Sequence, residues 1–363
     1  MTIQLGIVGC GDVAFRTYFP GFEPDVKSGR ARVAVCFDPV QERADRAAAE
    51  FPGAVAVTTL DDLIAHDGLQ AAVNLTPAPM HHEITTRLLE ADLDVFSEKP
   101  LAASVADAQQ LTDLAKARGK LLLCAPAVMA TSRFRWLKRV VEAGTIGRPT
   151  LVTAQMANMG PAGWRGYTGD PKVFYGEGVG PLIDTAVYVL TAATGMLGPV
   201  RRIQALGGIV IPKRTILIDR LLGQTVDVTT PDQILLHLDF GDRVFAQVLS
   251  SFAVPRTKAP TFELHGTGGS VSISEWYAAN GSVDLLVRDE SPLGIEDWQT
   301  VAPPSPTPHT SLIGCGVPHL VSVLLGDEQP ILTAEHATHV LEVMLTTFDA
   351  IESGETEELS TTF

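Results

Sequence analysis

The sequence predicts an α/β protein: an N-terminal doubly wound domain with a parallel sheet, then a C-terminal α+β domain with a large, mostly antiparallel, open-faced sheet. Two observations predict it. Through about residue 125, short β-rich runs alternate with helical stretches, which indicates parallel strands covered by helices. From about residue 150, strand-like runs follow one another with few helices between them, which favours antiparallel pairing. We therefore predict domains at residues 1–125 and 126–363.

The elements of the first domain follow from local patterns. Apolar runs predict six strands at residues 3–8, 31–37, 55–58, 71–75, 95–97 and 121–125. Helical stretches lie between them, among them residues 60–66, 82–90 and 105–118. Ser104 directly precedes the last stretch, and serine is a preferred N-cap, so we expect that helix to begin there.

The second domain is predicted to carry one sheet that its helices cannot cover on both faces. Strands are predicted at residues 151–156, 200–206, 233–240, 243–252, 261–265, 270–273 and 283–287, and helices at 132–143, 181–194, 317–325 and 334–353. Strands 233–240 and 244–249 carry apolar residues on both alternating faces. A bare apolar face is usually buried against a symmetry mate, so we expect a homodimer or a homotetramer built as a dimer of dimers.

Composition excludes several classes of partner. The chain has 363 residues, 45% of them hydrophobic, with a formal net charge of −15 and no basic stripe, so nucleic acid is not expected. A strand begins at the N-terminus without a basic leader, and no apolar run is long enough to span a membrane, so we expect a cytoplasmic protein without a membrane partner. The four cysteines lack zinc-site spacing, and neither they nor the histidines indicate a metal site.

A glycine loop directly follows the first strand. Gly9 permits a tight turn, Gly11 lets the backbone approach a pyrophosphate, and the small Ala14 allows helix and strand to pack closely. Asp12 and Val13 lie in the same loop, where the helix N-terminus would bind the pyrophosphate. Because this loop opens a βαβ unit, the sequence predicts a dinucleotide-binding Rossmann domain.

Asp38 ends the second predicted strand, where a carboxylate can accept hydrogen bonds from both adenosine ribose hydroxyls. An acid there repels the 2′-phosphate of NADP, so we expect NAD to be preferred, with NADP possible. Arg43 lies one helix turn further on and could pair with that phosphate, although a solvated helix face is the simpler interpretation.

With these motifs the chain resembles the glucose-fructose oxidoreductase, inositol dehydrogenase and MocA family of NAD(P)-dependent oxidoreductases over nearly its whole length. Thr76-Pro77-Ala78-Pro79-Met80-His81 resembles the family's turn after the fourth strand, and Glu98-Lys99-Pro100 resembles its EKP segment. The segment from Gly178 to Tyr188 resembles the glycine-rich helix start that carries Asp-x-x-x-His, and Gly266–Ser270 resembles a turn in the C-terminal sheet.

The resemblance implies hydride transfer between a secondary alcohol carbon and nicotinamide, with Lys99, Asp184 and Tyr188 as catalytic residues. Most members have histidine where this chain has Tyr188, and some members are similar in having tyrosine. Asp184 and Tyr188 are four residues apart and share a helix face. We expect Tyr188 to transfer the hydroxyl proton with Lys99 beside it, because an ammonium favours the ionised phenol and stabilises an alkoxide. Asp184 would bind a substrate hydroxyl or hold Lys99 in place; Tyr188 as a packing residue remains an alternative.

The resemblance also implies the cofactor and substrate contacts. The residues expected to contact the cofactor are Gly9, Gly11, Asp12, Val13, Ala14, Asp38, Thr76, Pro77, His81, Glu98 and Lys99. Family members act mainly on sugars, polyols and cyclitols, and the segment between residues 156 and 176 is expected to line the pocket. Side chains there that can stack on a sugar or hold its hydroxyls are Trp164, Arg165, Tyr167 and Lys172.

Two other functions remain open on the sequence alone. One is a glycosidase that retains NAD and oxidises its substrate transiently. The other is a non-catalytic nucleotide-binding sensor, against which Lys99 and Asp184 count because a sensor needs neither.

Overall fold

The computed structural model describes residues 1–288, 297–304, 309 and 311–363. The chain forms two compact units. The first unit comprises Met1–Ser132, Tyr277–Asn280 and Ser305–Leu341, and the second comprises Arg133–Trp276, Gly281–Pro304 and Glu342–Phe363. The first unit thus also contains residues from the C-terminal part of the chain, which the sequence analysis assigned to the second domain.

The helices of the described residues fall close to the predicted stretches. The α-helices are α1 (Phe19–Lys27), α2 (Gln41–Ala49), α3 (Leu60–Ile64), α4 (His81–Glu90), α5 (Val105–Arg118), α6 (Ser132–Glu142), α7 (Val187–Leu197), α8 (Gly316–Leu324) and α9 (Ala334–Ser353). Ser104 caps α5 as predicted, since its side chain accepts a hydrogen bond from the Asp107 amide. Two π-helical turns, Ala14–Tyr18 and Leu182–Ala186, directly precede α1 and α7. Short 3₁₀ turns lie at Ala78–Met80, Val128–Ala130, Pro161–Gly163, Pro171–Tyr175, Asp219–Leu221 and Ile313–Cys315.

The first unit contains a parallel sheet of six strands. These are β1 (Ile3–Val8), β2 (Ala31–Phe37), β3 (Val55–Val57), β4 (Ala71–Asn74), β5 (Asp94–Ser97) and β6 (Leu122–Cys124). Their order is β3-β2-β1-β4-β5-β6, and every neighbouring pair is parallel. This is the doubly wound arrangement predicted from the sequence, with its topological switch point between β1 and β4.

The C-terminal segment of the first unit completes its core. Helix α8 packs against β5 and β6. A side chain at Gly316 would put Cβ 2.2 Å from the Phe96 ring, so only glycine permits this close approach. At the edge of the sheet the Cys124 amide donates to the Leu332 carbonyl at 3.0 Å.

The second unit contains a nine-stranded sheet and a separate hairpin. Its strands are β7 (Pro149–Ala157), β8 (Arg202–Gly208), β9 (Lys213–Thr215), β10 (Thr225–Asp227), β11 (Gln233–Gly241), β12 (Val244–Ser251), β13 (Phe262–Gly266), β14 (Gly269–Ile273), β15 (Val283–Val287), β16 (Gln299–Val301) and β17 (Glu357–Glu358). The sheet order is β16-β15-β14-β13-β7-β12-β11-β8-β17, while β9 and β10 form the hairpin. Within the sheet, β7 and β12 pair in parallel and the other pairs are antiparallel, which confirms the mostly antiparallel prediction.

One face of the second sheet is buried and the other carries exposed apolar side chains. Ile234 and Leu236 of β11 are completely buried, and α7 packs against β7. On the opposite face Leu206, Leu235 and Phe245 are 71%, 42% and 49% exposed. Leu206 pairs with Leu235 across neighbouring strands, so the two leucines form an apolar pair on this face, which also carries His237 of β11 and Gln247 of β12. We call the face that carries Leu206, Leu235 and Phe245 the open face.

The four cysteines, all among the described residues, are buried and form no disulfide bond. Among the described residues, none of the helices combines the length and the apolar character that crossing a membrane requires.

Candidate active site

The carboxyl ends of three adjacent strands bring the predicted cofactor residues of the first unit to one edge. The glycine loop follows β1, Thr76 and Pro77 follow β4, and Glu98 and Lys99 follow β5. Because β1 pairs with β4 and β4 with β5, all in parallel, these loops are neighbours at the switch point. Ligands of doubly wound sheets bind there.

The glycine loop has the shape that a pyrophosphate needs. Gly9 has a φ of 91°, and a Cβ there would lie 3.0 Å from the Leu75 backbone. At Gly11 a Cβ would meet nothing within 4 Å, so space remains above the loop. Ala14 is completely buried where the π-helical turn begins. Asp12 and Val13 lie between them, and Asp12 pairs with Arg16 at 3.4 Å on the surface.

Asp38 is built into this loop. It is 4% exposed, and its two carboxylate oxygens accept 3.0 Å hydrogen bonds from the amides of Cys10 and Val40. A carboxylate has about four acceptor positions, so it can still receive ribose hydroxyls. Asp38 therefore holds the glycine loop through the Cys10 amide. Its neighbour Cys10 stays a neutral thiol, because a hydrogen bond with Cys36 and burial raise its pKa.

The turn after β4 is held by side chains. The Asn74 side-chain oxygen accepts from the Thr76 hydroxyl at 2.6 Å and from the Thr76 amide at 3.2 Å. The Asn74 amide nitrogen donates to the buried Thr85 hydroxyl at 3.1 Å. His81 is 1% exposed, with Nδ1 2.6 Å from the Pro100 carbonyl oxygen and Nε2 2.8 Å from the Thr76 carbonyl oxygen. His81 thus joins the turn after β4 to the turn after β5.

Glu98 supports the backbone at Lys99. It is 9% exposed, and its carboxylate accepts hydrogen bonds from the Tyr18 hydroxyl at 2.6 Å and from the Lys99 amide at 2.8 Å. Burial, and secondly the charge of Glu98, raise the pKa of the nearby Cys124 thiol. Lys99 itself is half-buried. Within this unit Glu98 and Lys99 therefore lie at the carboxyl end of β5, beside the loops after β1 and β4, and Tyr18 is a partner of Glu98 that the motifs did not predict.

In the second unit, the two remaining predicted catalytic residues lie at one helix start. Gly178 and Gly180, both with positive φ, precede the π-helical turn that carries Asp184. Tyr188 lies one turn further, near the start of α7. Asp184 is half-buried and Tyr188 is 6% exposed. π-helical turns are rare and occur often at functional sites, and both of those described here fall on predicted site segments.

The structure adds a buried polar group that sequence analysis missed. Tyr175 is 1% exposed, its hydroxyl accepts from the Ala162 amide at 2.9 Å, and the Arg214 guanidinium lies 5.2 Å from its ring centre. Arg214 donates to Asp232 at 2.6 Å, with both side chains at most 3% exposed. Burial raises the pKa of Tyr175, and the charge of Asp184 contributes in the same direction, so Asp184 lies within electrostatic range of this group. Residues 175, 214 and 232 are far apart in sequence and match no motif.

The predicted pocket residues lie around an aromatic cluster. The Tyr167 ring packs 5.8 Å from Trp164 and 5.7 Å from Phe174, at the edge of a core that contains Tyr175. Trp164 is 53% exposed and Arg165 is exposed. Lys172 is exposed, with its Nζ 3.3 Å from the Gln224 side-chain oxygen. Tyr167 therefore has a packing role, and Trp164 and Arg165 present their side chains at the surface.

Nowhere in the described ranges do three or more His, Cys, Asp or Glu side chains form a group that could hold a metal ion.

Family models match both units. A model described as "Oxidoreductase family, NAD-binding Rossmann fold" matches residues 3–125, and one described as "GFO/IDH/MocA C-terminal domain" matches residues 134–272.

Individual relatives carry oxidoreductase names. The chain is 29% identical over 301 residues, 81% of its length and 79% of the relative's, to a dTDP-3,4-didehydro-2,6-dideoxy-alpha-D-glucose 3-reductase of Streptomyces violaceoruber. It is 34% identical over 158 residues, 42% of its length and 45% of the relative's, to inositol 2-dehydrogenase 1 of Saccharopolyspora erythraea. A levoglucosan dehydrogenase solved in complex with NADH and levoglucosan shares the fold with a TM-score of 0.83, at 18% identity over 99% of this chain and 100% of that one.

Proposed function

Because the chain belongs to the Gfo/Idh/MocA family and is an NAD(P)-dependent dehydrogenase or reductase, we propose that it transfers a hydride between a secondary alcohol carbon of a sugar, polyol or cyclitol and nicotinamide. The observation that carries the proposal is the edge formed by β1, β4 and β5. There a glycine loop with space above Gly11 lies next to the strand end that bears Lys99. Residues of this loop would hold the pyrophosphate of a dinucleotide, and Lys99 lies on the same edge of the sheet.

The three predicted catalytic residues each have a role in the proposed reaction. The bound nicotinamide supplies or accepts the hydride. Lys99 stabilises the negative charge that develops on the substrate oxygen, because an ammonium favours an alkoxide. Tyr188 accepts the hydroxyl proton in oxidation and returns it in reduction. Asp184 accepts a hydrogen bond from a substrate hydroxyl, for which its half-buried position on the π-helical turn is suited.

Hydrogen bonds to a buried carboxylate hold the backbone at Lys99, which supports the assignment of Lys99. The Lys99 amide donates a hydrogen bond to the Glu98 carboxylate, which also accepts one from the Tyr18 hydroxyl. Catalytic groups need such positioning, since small displacements from the productive geometry cost large factors in rate. A surface lysine without a function would not need a buried carboxylate beneath its backbone.

The substrate class rests on relatives and on the pocket segment. Relatives named for a dTDP-sugar, inositol and levoglucosan support a hydroxylated ring as substrate. In this chain, Trp164 can stack on the C–H face of such a ring, and Arg165 and Lys172 can hold hydroxyl or acidic groups.

We further infer that NAD is the preferred cofactor. Asp38 is held at the end of β2 by the amides of Cys10 and Val40, which fixes its negative charge at the cofactor edge. That charge repels a 2′-phosphate and suits a free ribose hydroxyl. Arg43, the residue that could favour NADP instead, is exposed on α2.

A substrate panel tests the proposed function. Purified protein is incubated with sugars, polyols and cyclitols and either NAD or NADP, and formation of reduced nicotinamide is followed by absorbance. Active substrates are then compared between wild type, Lys99→Ala and the control Lys27→Ala, whose lysine forms a surface pair with Glu23. We expect Lys99→Ala to lose about 10²–10⁴-fold in kcat while retaining NAD binding, and Lys27→Ala to match wild type.

The panel also separates the remaining functions. Release of a sugar from a glycoside without net change in reduced nicotinamide would contradict a dehydrogenase and indicate a glycosidase that retains its cofactor. Cofactor binding without turnover of any sugar, polyol, cyclitol or glycoside would contradict an enzymatic role and favour a sensor.

The open face supports a homodimer or homotetramer. It exposes the apolar side chains of Leu206, Leu235 and Phe245, and Phe245 lines a groove of about 440 Å³ together with polar side chains such as His237 and Gln247, which gives a partner subunit both apolar and polar contacts. Light scattering is expected to give a multiple of the monomer mass. Leu235→Arg should lower that mass, and the control Leu222→Arg, at an exposed leucine outside this sheet, should not. A monomer mass for wild type at micromolar concentration would contradict the proposal.

A further inference from the structure

His81 lies between two backbone carbonyl oxygens. Nδ1 is 2.6 Å from the oxygen of Pro100, and Nε2 is 2.8 Å from the oxygen of Thr76. Both distances are hydrogen-bond distances, and a carbonyl oxygen can only accept. Each ring nitrogen must therefore donate a proton for both bonds to exist.

Only the imidazolium ion donates from both nitrogens, because a neutral imidazole has one N–H and one lone pair. A neutral ring would direct its lone pair at one of the two carbonyl oxygens. The residue is 1% exposed, so water has little access to satisfy that oxygen instead. An unpaired buried acceptor is costly, whereas bonds from a charged donor are among the stronger ones.

The position of His81 on its helix opposes the charge only weakly. A cation near a helix N-terminus is disfavoured by the helix dipole, but this effect falls off within the first turn. The 3₁₀ turn Ala78–Met80 directly precedes α4, so one turn separates His81 from the N-terminal end of this helical segment. Titratable groups on the segments that meet there are His82 and Glu83 on α4 and Glu98 and Lys99 after β5; residues 76–80 carry none.

The two acceptors belong to the two turns that form the cofactor edge. Thr76 follows β4, and Pro100 directly follows Lys99. We propose that His81 is a positioning residue: as an imidazolium it ties the turn after β4 to the turn after β5, and so holds the backbone from which Lys99 projects. The proposal rests on the proposed function for the role of Lys99, whereas the charge state of His81 is independent of it.

Nuclear magnetic resonance tests the charge state without any substrate. Protein with ¹⁵N-labelled histidine rings is measured at about pH 7.5, one unit above the ordinary histidine pKa of about 6.5. The His81 ring is assigned through bonds from its own backbone amide, which requires no variant. Two protonated ring nitrogens are expected. A single protonated nitrogen would overturn the proposal.

The positioning role is tested by His81→Asn against His82→Asn, which alters the neighbouring, partly exposed histidine. We expect His81→Asn to lower kcat about 10–100-fold with NADH affinity retained, because misplacing a catalytic group costs factors of this size. His82→Asn should match wild type. A wild-type kcat for folded His81→Asn would overturn the proposal.

A second measurement keeps the two proposals separable. The ¹³Cε resonance of Lys99, identified by its loss in Lys99→Ala, should shift in His81→Asn and not in His82→Asn. If no substrate is turned over, the proposed function fails, yet this shift still supports the role of His81. An unchanged Lys99 resonance would overturn it. If His81→Asn does not fold, His81→Gln replaces it, and the ring-nitrogen measurement on wild type decides the charge state.

Discussion

Replacing Asp232 by asparagine should destabilise the second unit strongly. One oxygen of Asp232 accepts from the Val210 amide at 2.6 Å, and the other accepts from Arg214 at 2.6 Å and the Ile211 amide at 3.2 Å. Asparagine has almost the same shape, but one oxygen becomes an NH₂ group. Whichever way this amide turns, its NH₂ group meets a donor, and the charge of Arg214 loses its partner.

The size of the effect follows from burial. The Arg214 and Asp232 side chains are 3% and 1% exposed, so water cannot replace the lost interaction. Breaking one partner of a buried ion pair costs about 3–5 kcal/mol. For a unit of this size, each 1 kcal/mol lost from the free energy of unfolding lowers the thermal midpoint, Tm, by about 2–4 °C. We therefore expect Asp232→Asn to lower Tm by about 6–20 °C.

Tryptophan fluorescence during thermal unfolding measures the decrease in Tm, and during denaturant unfolding it measures the free energy, because all four tryptophans belong to the second unit. The matched control is Asp227→Asn, which breaks the ion pair with Lys213 in the same unit, where the two side chains are 76% and 63% exposed. Exposed pairs contribute little, so this variant should unfold close to wild type. A loss below about 1 kcal/mol for Asp232→Asn, the range of exposed pairs, would refute the reasoning.

Three further predictions concern the site and the chain terminus. Tyr188→Phe should lower kcat about 10²–10⁴-fold, and near-normal rates across pH would make Tyr188 a packing residue. Binding titrations should show tighter binding of NADH than NADPH; Asp38→Ser should narrow the difference and, by releasing the Cys10 and Val40 amides, weaken NADH binding too. Equal or tighter NADPH binding by wild type would contradict this. Burial alone would raise the pKa of Glu342, but hydrogen bonds from Ser360 and Thr361 outweigh it and leave the pKa lowered. The ionised Glu342 therefore contributes its full stabilisation above the ordinary glutamate pKa and loses it as the pH falls through the lowered value. When the free energy of unfolding is measured against pH in acid, it should fall less steeply in Glu342→Gln than in wild type.

Local patterns predicted the strands and helices where periodicity is clear. The alternation of runs in residues 3–125 predicted the parallel sheet within a few residues, because its central strands β1, β4 and β5 are buried on both faces and read as continuous apolar runs. The hairpin of β9 and β10 and the short strands β16 and β17 were missed. Each has only two or three residues, too few to show an alternating pattern.

Side-chain networks were less accessible to sequence analysis than the motifs. Lys99 and the glycine loop could be found because their spacing follows from the chemistry of dinucleotide binding. The side chains that support the backbone at Lys99 could not be found in this way, since Tyr18 lies 80 residues from Glu98. The buried ion pair of the second unit was missed for the same reason, because Arg214 and Asp232 are 18 residues apart and share no motif. His81 was found as part of a motif, but its two carbonyl partners depend on turn geometry that composition does not encode.

The first unit is made from three separated stretches of chain, and this affects its synthesis on the ribosome. The Phe96 contact with Gly316 and the Cys124 bond to Leu332 cannot form until the C-terminal stretch has left the exit tunnel. The glycine loop and its sheet therefore stay incompletely packed while most of the second unit is being translated. Chaperones that bind exposed apolar surface would meet the chain during this interval. A truncated gene ending at residue 125 should accordingly yield an aggregation-prone fragment rather than a folded cofactor-binding module.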